Sequence, residues 1–157
     1  MSNRLLEKYR SMIRKEAIRL EKEGRYSDTK KYIQHSNISV YDHCFGVALL
    51  SVIIAEKLGI TVNLRSLIVG ALLHDYFLYD WHEKERKGHN IHGFTHPTTA
   101  LKNAEEDWEL NDIEKIIIKR HMFPLTVIPP TNREAWIVCI ADKICATREV
   151  LSGRTFA

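Results

Sequence analysis

Leu5, Tyr9, Met12, Ile13 and Leu20 recur at helical spacing with Arg and Lys between them, which predicts an amphipathic helix ending near Gly24. Residues 25–38 show no such period and read as a connector. Ser39 then offers an oxygen suited to cap a second helix, whose apolar residues run nearly all round from Val47 to Ala55 and which Gly59 stops. A helix apolar on every side belongs at the centre of a fold. Asn63 caps a predicted third helix through Leu67, Ala71 and Leu78, followed by a polar loop from His82 to Gly93. Thr95, His96 and Pro97 predict the start of a fourth, with Pro97 in the first turn where its missing N–H costs nothing and Leu101, Ala104 and Trp108 beyond it. A fifth opens at Asn111 or Asp112, carries Ile113, Ile117 and Ile118, and must end before Pro124; a sixth opens at Thr131 or Asn132 and runs toward Val150. The pattern predicts an all-α fold, a compact bundle of about six helices.

Composition narrows the class. The 157 residues, 45% hydrophobic and 27% charged, carry no repeat, low-complexity tract or linker, so residues 1–157 read as one domain. A chain of this size buries roughly 70% of its unfolded surface and needs neither disulfides nor a structural metal to fold. The 23 Lys+Arg against 20 Asp+Glu leave a net charge of only +3, which gives no reason to expect a nucleic-acid partner. Cys44, Cys139 and Cys145 are odd in number, lack CxxC spacing and sit in apolar segments, as free thiols in a reducing cytoplasm would. The longest apolar stretch falls far short of the ~18 residues of a membrane span, and Arg4, Glu7, Lys8 and Arg10 interrupt any signal-peptide core. A cytoplasmic protein without membrane contact is expected.

Six polar residues fall on the apolar stripes. His43 shares a face with Val47, Leu50, Ile54 and Leu58, while His74 and Asp75 continue the face of Leu67 and Ala71. His121 follows Ile113 and Ile117 at four-residue steps, Asp142 lies with Ala135, Val138 and Cys145, and His96 heads the face of Ala100 and Ala104. Any one of them could be a core polar group satisfied by a hydrogen bond. Four imidazoles and two carboxylates pointing inward together would incur several desolvation penalties of a few kcal/mol each. Divalent metal offsets all of them at once. Histidine and carboxylate without thiolate suit Fe, Mn, Co, Ni or Zn, and six ligands exceed the needs of one tetrahedral ion, so one or two ions are expected, with Asp75 as the natural bridge between two.

The ordered series His43, His74-Asp75, His96, His121 and Asp142 resembles the HD-domain superfamily of metal-dependent phosphohydrolases, over residues 35–150 with 1–34 as an N-terminal helix and connector. The stretches from Gln34 to His43, Ala71 to His82, His92 to Pro97, Lys119 to Thr126 and Cys139 to Thr147 are similar to bacterial HDIG-type phosphohydrolases. The resemblance implies one ion held by His43, His74, Asp75 and Asp142, a second held by Asp75, His96 and His121, and a bridging hydroxide that attacks a phosphate ester or phosphodiester of a nucleotide-like small molecule, with Asp75 as the catalytic carboxylate. Tyr76-Phe77 follows the doublet where Ile-Gly would stand, and no lysine follows closely as in the cyclic-dinucleotide phosphodiesterases of the superfamily, so cleavage of cyclic dinucleotides is not expected.

Phosphate needs cations around it. Lys84, Arg86, Lys87 and His92 crowd the loop before His96, Arg120 adjoins His121, and Lys143 adjoins Asp142, which makes these the candidate substrate contacts together with His35. Tyr41 and Trp81 are candidates for stacking on a base. Two other readings share the ligand set: a di-iron oxygenase of the same superfamily, and a nonenzymatic domain that senses a nucleotide.

Overall fold

The computed structural model describes residues 2–83 and 91–156, and among these it is all-α apart from one small hairpin. Helix α1 (Asn3–Glu23) starts at Ser2, whose side chain accepts from the Leu5 N–H, and buries Tyr9, Ile13, Ala17 and Leu20 before ending at Gly24. The connector proves structured: a 3₁₀ helix (Tyr26–Lys31) leads into strands β1 (Ile33–His35) and β2 (Ile38–Ser39), which pair antiparallel. The turn between them places Ser36 at φ 54°, a left-handed conformation that nothing in the surrounding sequence announces.

Helix α2 (Val40–Leu58) is the central element. Ser39 caps it through the Asp42 N–H, and Gly59 closes it at φ 62°, where a residue without Cβ is favoured. Its buried residues face every direction, because α1, α3, α6 and the 3₁₀ helix all pack on it. Helix α3 (Leu64–Leu73) starts at the Asn63 cap but ends five residues short of Leu78, which instead takes φ 56° in the following turn. The polypeptide therefore leaves the helix at His74 and Asp75.

Helix α4 (His92–Asp107) begins three residues before Thr95, which corrects the expected start and puts Pro97 inside the helix. Its N-cap is Ile91, which supplies no capping side chain. Helix α5 (Asp112–Arg120) opens with a capping box between Asn111 and Glu114, and α6 (Arg133–Ser152) opens at Asn132 and closes at Gly153. Cys44, Cys139 and Cys145 are buried free thiols, and among the described residues no helix is long and apolar enough to cross a membrane.

Helices α3 and α5 approach closely at Gly70, where an added Cβ would stand 2.5 Å from Ile117 Cδ1 and 2.9 Å from Ile117 Cβ. Ile117 is fully buried, so it cannot swing away. Overpacking of this kind costs about 1–3 kcal/mol and exceeds the roughly 0.5–1 kcal/mol that alanine gains over glycine within a helix. Gly70→Ala is expected to lower Tm by roughly 2–8 °C in thermal denaturation. A raised Tm would show that α3 and α5 separate freely.

Candidate metal centre

Five helices deliver six polar side chains to one place. His43 stands in the first turn of α2, His74 and Asp75 follow the last residue of α3, His96 lies in α4, His121 follows the end of α5, and Asp142 lies midway along α6. All six are buried, with exposures of 0% for His43 and His74, 2% for Asp75, 4% for His96, 1% for His121 and 8% for Asp142. Their ligand atoms fall into two groups that could each hold a metal ion: His43, His74, Asp75 and Asp142 in the first, Asp75, His96 and His121 in the second. Within each group these atoms lie within 4.8 Å of one another, and Asp75 belongs to both.

The imidazole tautomers follow from their neighbours. A carbonyl oxygen only accepts, so Nδ1 must be the donor where His74 meets the Ala71 carbonyl (2.7 Å), His96 meets that of His92 (2.9 Å) and His121 meets that of Ile118 (2.8 Å). For His74 and His121 the reason is local. Each sits just past a helix end, where the last carbonyls have no helical N–H to bond. His43 Nδ1 meets the Glu149 carboxylate instead, at 2.8 Å. With every Nδ1 proton so engaged, four Nε2 atoms turn toward the centre, and a neutral ring carries only a lone pair there.

What they meet is more lone pairs. His96 Nε2 and His121 Nε2 are 2.8 Å apart, and Asp75 Oδ1 lies 3.1 Å from the first and 3.3 Å from the second, with no hydrogen-bond partner among the described residues. Asp75 Oδ2 faces His74 Nε2 at 3.4 Å and His43 Nε2 at 3.6 Å, while Asp142 Oδ1 faces the same two nitrogens at 3.5 Å and 3.1 Å. His74 Nε2 also lacks a hydrogen-bond partner among the described residues. Acceptors converging on acceptors in a dry interior repel unless positive charge stands among them.

Protons can supply part of that charge. Burial opposes protonation of His43, yet hydrogen bonds to Asp142 and Glu149 outweigh it and bring the ring to about 10. Burial likewise opposes charge on His74, and the neighbouring Asp75 charge overcomes it. Burial would raise both carboxylates, but His74 above all for Asp75, and His43 and His74 for Asp142, hold them well below the usual carboxylate range. His121 differs, because burial dominates and pushes it down toward the neutral form. Protons thus serve the first group, while in the second burial holds His121 toward its neutral form with its Nε2 2.8 Å from that of His96. A divalent cation fits both, and a nitrogen and carboxylate donor set without thiolate suits a first-row ion.

Asp75, His96, His121 and Asp142 of the centre line a cavity of about 710 Å³. Of the substrate contacts expected from the sequence, His35, His92 and Lys143 line this cavity, as does Trp81. Lys143 Nζ donates to the His121 carbonyl at 2.9 Å, and Trp81 stacks on His92, which stacks in turn on His96. Arg120 is absent from the described lining, since its side chain leaves α5 about 100° away from that of His121. Tyr41 packs against Tyr26 instead, at 5.5 Å. Lys84, Arg86 and Lys87 lie outside the described residues.

Two residues at the centre were not expected. Gln34 on β1 donates from Nε2 to Asp75 Oδ2 at 2.6 Å, and Glu149 holds His43. Gln34 stands in a stretch without period, so no pattern marks it. Glu149 follows Asp142 and Cys145 on the inner face of α6, a spacing that could have revealed it.

The family model of the HD domain matches residues 40–147, more than two thirds of the chain and a span that includes all six central residues. No curated protein and no solved structure matches.

Proposed function

The chain belongs to the HD-domain family, whose members are generally metal-dependent hydrolases, and on that premise we propose that it hydrolyses a phosphate ester or phosphodiester of a nucleotide-like small molecule. The observation that carries this reading is the shared carboxylate: Asp75 directs Oδ2 toward His43 and His74 and Oδ1 toward His96 and His121 at the floor of an open cavity. His43, His74, Asp75 and Asp142 would hold one ion, and Asp75, His96 and His121 another. Metal ions there would supply Lewis acidity, which makes water a stronger acid and neutralises charge on phosphoryl oxygens.

The protein's own groups do the positioning. Gln34 fixes the rotation of the Asp75 carboxylate by taking one lone pair of Oδ2. Lys143 spends its N–H groups on the His121 carbonyl and on Cys139, so it acts on an anionic substrate through charge more than through a direct hydrogen bond. Met122, Pro124 and Leu125 form an apolar wall with Trp81, suited to bury the organic part of the substrate and to exclude water from the floor.

The test is metal analysis of protein reconstituted anaerobically with Fe, Mn, Co, Ni and Zn, followed by a panel of phosphomonoesters, mononucleotides and dinucleotides with each metal form. Turnover of at least one phosphoester by a metal-loaded form, lost on chelation, is expected. A metal content that stays at zero would sink the reading, and so would full loading with uniform inactivity across the panel. Oxygen uptake by a mixed-valent iron form on an organic substrate would replace hydrolysis with oxygenation.

A further inference from the structure

Three of the four central histidines place their Nδ1 proton on a carbonyl of their own helical turn, and His43 does not. Its Nδ1 instead meets Glu149 Oε2, delivered from α6 seven residues after Asp142. Glu149 is 0% exposed, and its other oxygen, Oε1, has no hydrogen-bond partner among the described residues. A fully buried carboxylate with one of its oxygens unused carries a large desolvation penalty that an apolar residue of similar volume would avoid. Packing alone gives no reason for a glutamate here. The residue also lies beyond the span that the family model matches.

We infer that Glu149 is a positioning residue for the metal centre: an acceptor-only carboxylate that keeps the proton of His43 on Nδ1 and so presents Nε2 to a metal ion. The inference rests on the metal-centre reading above. A carboxylate serves this role better than a carbonyl or an amide for two reasons. Its negative charge makes the opposite ring nitrogen a stronger donor, and it cannot itself donate, so only one tautomer of His43 is compatible with it. An amide in its place can turn its N–H₂ toward Nδ1 and shift the proton to Nε2, where it blocks coordination. His35, His43 and Glu149 also lie close enough to suggest a third metal group, but His43 Nδ1 cannot bond both a proton shared with Glu149 and a metal ion.

The experiment is a Co²⁺ titration, followed by visible absorption and calorimetry, of the wild type, Glu149→Gln, His96→Ala and the double variant, with circular dichroism on each. His96→Ala removes a ligand of the second group only, so the remaining strong site reports on the first. Wild type is expected to take two ions, and Glu149→Gln is expected to weaken the first group by roughly 10–100-fold in the His96→Ala background, with helicity unchanged. In Glu149→Gln alone, one ion is expected to bind as in the wild type. Nitrogen-15 NMR of the zinc-loaded wild type provides a readout that does not depend on any variant folding: His43 is expected to carry its proton on Nδ1. Wild-type affinity at both sites in Glu149→Gln, a proton on Nε2 of His43, or a stoichiometry of three ions would each overturn the inference and leave the metal centre standing. A wild type that binds no Co²⁺ at all would overturn the metal-centre reading and this inference together.

Discussion

Asp75→Asn is expected to abolish nearly all turnover and most metal content while leaving helicity by circular dichroism at the wild-type level. Losing an outer hydrogen-bond partner of a metal ligand typically costs 10–100-fold, so losing the charge on a ligand shared by both groups is expected to cost on the order of 10³-fold or more. The substitution is informative because asparagine suits the metal-free arrangement. Its Oδ1 can take the Gln34 N–H that now bonds Asp75 Oδ2, and its Nδ2 can donate to the His96 and His121 lone pairs that now face Asp75 Oδ1. A carboxylate with a purely structural role would therefore be replaced at little or no loss of stability and with unchanged function. Turnover and metal content decide the matter, since the variant should melt near the metal-free wild type whether or not metal is added. Retained turnover with full metal loading in the Asn variant would show that the two groups do not share Asp75.

Four of the helix starts that carry capping side chains were legible in the sequence, and the Ser2 cap of α1 was not. Ser39 and Asn63 cap helices as expected, Asn111 and Asn132 prove to be the caps where the pattern left two choices each, and Gly59 stops α2 in the left-handed conformation. The start of α4 was not, because Ile91 has no side-chain oxygen and the helix gains its first turn through tertiary contacts. His92 stacks between Trp81 and His96 and meets Tyr79 through a 2.8 Å hydrogen bond. Thr95-His96-Pro97 carries the usual start signals, yet Pro97 sits in the second turn, where the only helical bond it forfeits is the one to the Gly93 carbonyl. The end of α3 was hidden for a related reason. Apolar spacing continues through Leu78, but the main chain turns at His74 and Asp75 with bonds from Tyr76 N to Leu73 O and Phe77 N to Asp75 O.

The inward direction of the six central residues was legible because a polar residue on an apolar stripe is conspicuous. Their supports were harder to find. Gln34 belongs to a three-residue strand whose partner is two residues long, too short for alternation to register. Glu149 is on the correct face of α6, but a glutamate near the end of a helix of mixed polarity resembles any solvated side chain until the structure shows it fully buried. Periodicity reports which face a residue occupies. It does not report what covers that face.

Chelation is expected to lower Tm by roughly 8–16 °C without unfolding the protein. The proposed ligands come from five helices and span residues 43–142, so the unfolded chain cannot gather them and metal would stabilise the native state alone. At a free ion concentration about 1,000 times Kd the stabilisation is about 4.1 kcal/mol, and a chain of this length gains roughly 2–4 °C per kcal/mol. The metal-free protein should nevertheless hold its helices, because the core around Ile13, Leu20, Leu67, Leu72 and Ile117 is buried independently of the centre. The first group also keeps its charge balance through protons on His43 and His74. In the second group burial keeps His121 toward its neutral form, and its Nε2 stands 2.8 Å from that of His96. Hydrogen exchange after chelation should therefore quicken first at the start of α4 and the end of α5, where His96 and His121 would otherwise be pressed together. An unchanged Tm on chelation and reloading would mean that the converging donors are satisfied without an ion. Complete unfolding would mean that metal, and not the apolar core, organises these helices.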